Sequence, residues 1–116
     1  RRAADACLNA CKGNASEKLS TLMECMARNK MKIMHVYSSE SRKAFDRELA
    51  VLCEYLAIRL RGKYEELSSA EKDCRIMLVK SCLYGLACDW FEMGMDEEYA
   101  QNISAACIEL AKYIEA

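Results

Sequence analysis

The residues best equipped for chemistry in this chain are its eight cysteines: Cys7, Cys11, Cys25, Cys53, Cys74, Cys82, Cys88 and Cys107. Thiols can hold a metal, attack a substrate or cross-link the chain, and spacing decides among these. There is no C-x-x-C pair, and the one histidine, His35, has no cysteine close to it in the chain. Structural zinc is gathered from closely spaced Cys and His residues, so no metal site is expected. His35 is also the one ordinary imidazole base. It lies between Met34 and Val36 with no nucleophile or carboxylate motif around it, and reads as a structural helix residue. No G-x-S-x-G, H-E-x-x-H or phosphate-binding glycine loop occurs. The chain is therefore expected to be no enzyme and to need no cofactor. What remains for an even, dense set of cysteines is a disulfide framework, because such density is unusual in a reducing compartment.

That reading sets the compartment. Four bridges imply a secreted protein, and two sequons, Asn14-Ala15-Ser16 and Asn102-Ile103-Ser104, make Asn14 and Asn102 candidate glycosylation sites. The first apolar stretch is broken by Asp5, Asn9 and Lys12, so no signal peptide is read and the chain is expected to be mature. No apolar run approaches the roughly 18 to 20 residues that span a bilayer.

The elements that must position the cysteines are helical. A chain of 116 residues without a single proline, 53% hydrophobic and 30% charged, is expected to form a single domain over residues 1–116 with a core of its own. The fold class expected is all-α: a compact bundle of about five helices cross-linked by disulfides. The first helix is placed at about 3–12 and stops at Gly13, with Ser16 as the cap of the next. The second runs from about Glu17 to Tyr37 with Leu19, Leu22, Met23, Met26, Ile33 and Met34 at helical spacing. A serine-rich break precedes a third helix at about 42–61, closed by Gly62. The fourth begins at the capping box Ser68 to Glu71 and runs to about Met93. It is apolar nearly all the way round and is expected to be the central helix. Asp96 caps the fifth, with Tyr99, Ile103, Cys107, Leu110 and Ile114 facing inward.

Charge and composition narrow the partners. From Arg28 to Lys63 nine basic residues face four acids, whereas from Tyr64 to Ala116 four basic residues face eleven. Arg28, Lys30, Lys32, Arg42 and Lys43 are the candidate basic interaction face, able to steer a charged partner. A net charge of −1 and the lack of an aromatic-basic pattern disfavour nucleic acid. The methionines are read mainly as core filler and secondarily as the lining of an adaptable pocket. The Cys7-x3-Cys11 pair resembles the Cys-x3-Cys of insect odorant-binding proteins, but its place in the order, the later spacings and the cysteine number depart from that family, and no family is assigned. The leading functional expectation is a secreted, non-enzymatic effector or signalling protein that binds a protein receptor. The alternative is an extracellular carrier of a lipid or other small hydrophobic ligand held between helices.

Overall fold

The computed structural model describes residues 2–11, 13–60 and 65–116 and contains only helices among them. Their order is α1 (Arg2–Ala10), α2 (Ala15–Arg28), α3 (Lys30–Tyr37), α4 (Arg42–Arg59), α5 (Ser69–Glu92) and α6 (Glu97–Glu115). The all-α expectation holds; six helices among the described residues replace about five. The extra boundary is at Asn29, where the side-chain amide donates to the carbonyl of Cys25 at 2.8 Å and the backbone leaves the helical region at φ −106° and ψ 20°. An asparagine that offers the backbone a competing hydrogen bond can end a helix without help from glycine or proline.

Capping fixes the other ends. Asn14, not Ser16, caps α2, its Oδ1 accepting from the Glu17 N–H at 3.0 Å. Ser39 organises the turn between α3 and α4: its hydroxyl donates to the Val36 carbonyl and accepts from the Ser41 N–H. The capping box at the start of α5 is present as expected, with Ser68 Oγ accepting from the Glu71 N–H and Glu71 accepting from the Ser68 N–H. Gly62, expected to close α4, lies outside the described residues, as do Lys12, Arg61 and Lys63. Between α5 and α6, Gly94 and Met95 both take left-handed backbone, at φ +67° and +54°. Glycine adopts this without penalty, whereas methionine is strained there. Burial of the Met95 side chain offsets that strain, since it is 2% exposed. Asp96 then caps α6 by accepting from the Tyr99 N–H at 3.0 Å.

The helices pack as two tight pairs. α4 lies along α5 and α2 lies along α6, while the two pairs meet where α5 runs beside α6. α1 covers α2, and α3 bridges α2 to α4. Val79, Phe91, Ile103, Leu110 and Ile114 are buried among these helices. The residues expected to face inward on α6 do so: Ile103, Cys107, Leu110 and Ile114 are buried and Tyr99 is half-buried.

Two expectations fail here. No disulfide is formed among the eight cysteines, all of which carry free thiols. Cys53 and Cys107 are buried and act as small apolar side chains, whereas Cys74 and Cys82 are exposed on α5. Cross-linking is therefore not what holds the bundle. Nor is α5 surrounded. Met77 is 61% exposed and Leu78 49% exposed, so one of its two apolar sides faces out. Met31 and Met93 are exposed as well, which leaves Met95 as the methionine that is fully core.

Two measurements check this description. Titration of the denatured protein with a thiol reagent, with no reductant added, is expected to return all eight thiols. Ser68→Ala should lower the unfolding free energy in urea by about 1 kcal/mol, the usual loss when a capping hydroxyl is removed.

Candidate functional site

The pairing of helices leaves a gap. Because α2 associates with α6 and α4 with α5, the space between α2, α4 and α5 is closed only by side chains. It forms a half-enclosed cavity of about 260 Å³. Leu19, Leu22, Met23 and Met26 line it from α2, and Ile33 from α3. Phe45, Leu49, Leu52, Cys53 and Leu56 contribute from α4; Leu83, Leu86, Ala87, Trp90 and Phe91 from α5; Ile103 and Cys107 from α6. No charged, hydroxyl or amide side chain is among them. The indole N–H of Trp90 reaches the Asp96 carbonyl at 3.4 Å, so that donor is engaged within the protein. A space of this size and lining suits a small apolar molecule.

Its thiols are neutral. Burial pushes the Cys53 thiol up to about 12 and also raises Cys107, since an apolar surrounding disfavours a thiolate. The cavity therefore presents sulfur as a soft apolar surface, together with Met23 and Met26.

One end is fastened by an aromatic and ionic cluster. Tyr37 packs edge-on against Phe45 and Phe91, with ring centroids 6.2 and 5.5 Å away, and Phe45 lies 5.7 Å from Phe91. The Tyr37 hydroxyl donates to Glu92, which also accepts from Arg42 at 2.9 Å. The Arg42 guanidinium stands 3.8 Å over the Tyr37 ring. Burial, and then the bond to Glu92, push Tyr37 up to about 12; Tyr37 and then Arg42 hold the Glu92 carboxyl below its ordinary range. The cluster ties the α3–α4 turn to the end of α5. A second cluster, Tyr55 and Arg59 on Asp5, ties α1 to α4.

The outward side of α5 makes a different feature. Leu78, Ser81, Cys82, Gly85 and Leu86 of α5 face Ala106, Leu110 and Tyr113 of α6 across an open apolar groove of about 570 Å³. Asp89 and Glu109 lie at its rim, and a Cβ built on Gly85 would meet nothing within 4 Å. Leu86 lines both the groove and the cavity, so α5 is a wall shared between them.

The residues singled out by sequence are scattered by the fold. Cys53 and Cys107 meet at the cavity, while the free thiol of Cys7 neighbours that of Cys25 where α1 covers α2, and this neighbour raises its pKa. Cys88 is half-buried beside Tyr84, whose pKa it raises; Cys74 and Cys82 lie on the outer side of α5, and Cys11 follows α1 half-buried. Of the basic face, Arg28, Lys30, Lys32 and Lys43 are exposed around α3, but Arg42 is turned onto Glu92 and Tyr37. Asn102 is exposed, and the Asn14 side chain is engaged as a cap. His35 is exposed on α3, and among the described residues no group of three or more His, Cys, Asp or Glu side chains is placed to hold a metal ion. Most cavity-lining residues were legible as apolar helix positions, but the gap between their helices had no sequence signal.

Residues 13–112 match a TetR-type family model, described as a transcriptional regulator C-terminal region. No curated protein and no solved structure matches the chain. The family match overturns the expected secreted effector, its receptor partner and the extracellular carrier alike. Transcriptional regulation takes place at the genome inside the cell, where thiols stay reduced, in keeping with eight free cysteines. The sequons at Asn14 and Asn102 lose their rationale with the secretory compartment. The exclusion of nucleic acid is corrected too, because regulators of this type act on DNA; overall charge misled, since it averages over the region read. Among the described residues no helix is long and apolar enough to cross a membrane.

The neutral Cys53 and Tyr37 predict the response to alkali. Both are raised in the folded state, so the stability they contribute is complete below the unfolded values of 9.0 and 10.0 and is lost as pH rises toward about 12. Urea midpoints are expected to be flat up to about pH 9 and to fall above it. Cys53→Ala should make the fall shallower.

Proposed function

The chain belongs to the TetR-type family of transcriptional regulator C-terminal regions, and from that membership we propose that it is a regulatory, non-catalytic unit that senses a small molecule in the cavity between α2, α4 and α5. The observation that carries this reading is the cavity itself. A core of this size has no structural need for a space of about 260 Å³ lined wholly by apolar side chains, because interiors normally close-pack and an empty cavity destabilises by lost contacts. A ligand that fills it restores those contacts and favours one arrangement of the helices around it. Charge plays no part in the lining, so selection there is by shape and apolar surface.

A second reading concerns pairing, and the outer side of α5 favours it. Regulators that read DNA with paired helices act as two-fold dimers on two half-sites, and a two-fold contact needs a patch that complements itself. Cys74, Leu78, Ser81, Cys82 and Gly85 recur on one side of α5 at helical spacing, beside Tyr113 of α6. Small residues in the middle allow two copies of α5 to approach closely. The rim carries both signs of charge, with Asp89 and the exposed pair of Lys112 and Glu109. α5 would then carry ligand on one side and the second copy on the other, with Leu86 touching both features.

Two experiments test these readings. The chain contains one tryptophan, Trp90, which lines the cavity. Its indole N–H resonance should shift on titration with members of an apolar fragment library, and Ala87→Phe, which fills the cavity, should abolish the shift while the rest of the spectrum stays folded. No responsive fragment would refute the sensing role. Light scattering should give twice the chain mass for the wild type and a monomer for Gly85→Arg, placed at an exposed position where an added Cβ meets nothing in the chain. A monomeric wild type would refute the pairing.

A further inference from the structure

We infer that the ligand of this cavity is a neutral aromatic molecule of one or two rings, selected by ring-to-ring and ring-to-sulfur contact; the inference rests on the sensing role proposed above. Size bounds the part of the ligand held inside. An apolar cavity of about 150 Å³ holds benzene, and this half-enclosed one is about 260 Å³, so a fused two-ring skeleton fits within it whereas a steroid or a long acyl chain would have to project from its open side.

Charge and hydrogen bonding give the next limit. The lining offers no carboxylate, ammonium, guanidinium, hydroxyl or amide side chain, and the Trp90 donor is already engaged. The surrounding backbone is helical, so its donors and acceptors are used within the helices. A carboxylate or ammonium held inside this space, one bond from the rings, would lose much of its hydration and gain no partner, which opposes small charged ligands of either sign. The thiols do not change this, since burial keeps Cys53 and Cys107 protonated.

The choice between aromatic and saturated ligands follows from what the walls are made of. Trp90, Phe45 and Phe91 supply rings, and Met23, Met26, Cys53 and Cys107 supply sulfur. Aromatic rings gain from edge-to-face contact with other rings and from contact with sulfur, beyond simple removal from water. A saturated bicycle of the same carbon number is at least as hydrophobic but gains neither. Transfer from water alone would favour the saturated compound, and the walls favour the aromatic one, so the two contributions can be told apart.

The experiment follows the Trp90 indole resonance of the whole chain during titration with naphthalene, decalin, 1-naphthoate and a naphthylmethyl-trimethylammonium ion. Naphthalene is expected to bind, decalin about three- to tenfold more weakly, and both ions about a hundredfold more weakly or not at all. Tighter binding of decalin would overturn the aromatic preference. Binding of either ion at the affinity of naphthalene would overturn the neutral ligand class while leaving the sensing role standing. If none of the four shifts the resonance and the fragments that do are saturated or charged, the ligand class is wrong and the sensing role survives; if they are neutral one-ring aromatics, the class stands at its smaller size. If no fragment of any class shifts it, both fall together.

Discussion

A long helix that is apolar on two sides can turn only one of them toward its own core, and α5 is such a helix. Val79, Leu83, Ala87, Trp90 and Phe91 face the interior, and Met77, Leu78, Cys82 and Gly85 face out. The rest of the molecule is arranged around this asymmetry. α4 covers part of the inner side and α6 runs along the edge between the two sides. α2 is drawn to α6 and leaves the remaining inner surface to the cavity. The groove and the cavity thus have one origin, an excess of apolar surface on α5 over what five shorter helices cover.

Free energy in this bundle comes from packing and local hydrogen bonds, with no covalent help. Removal of apolar surface from water contributes about 25 cal/mol per Å², and the buried stripes of α5 and α6 supply much of that surface. Exposed ion pairs such as Lys112 to Glu109 add little. The Tyr37, Arg42 and Glu92 cluster is different in kind, because it joins three elements through a buried hydroxyl and a ring face rather than through charge alone. It fixes Phe45 and Phe91 against each other, and so fixes one wall of the cavity, while α2 on the other side packs on α6 and α1 and touches α3.

That difference in support bears on how the cavity could report its contents. The Phe45 and Phe91 wall is tied to α5 by a hydrogen-bonded cluster beside the cavity, whereas α2 is hydrogen-bonded to α6 only at its first turn, through Ala15 and Glu115, and lines the cavity with packed side chains. Occupancy would therefore act on α2 and on Leu86 before it acts on the Phe45 and Phe91 side. Since Leu86 also lines the outer groove, the same side chain belongs to both features of α5. Leu86 is thus the side chain through which a change in the cavity would reach the groove.

The helices, most of their ends and their apolar stripes were legible in the sequence, because hydrophobic periodicity and caps such as Ser68 and Asp96 act over a few residues. Asn29 was missed because its side chain can prolong or end a helix with equal ease until its bond to Cys25 is seen. The cysteines were misread because density implies a compartment only statistically, whereas a disulfide needs two sulfurs brought together by the fold. The exposed side of α5 and the gap beside it were beyond reach of any periodicity. A stripe shows that a surface is apolar, and only the pairing of α2 with α6 and α4 with α5 decided which surfaces were covered, which enclosed a cavity and which were left facing out.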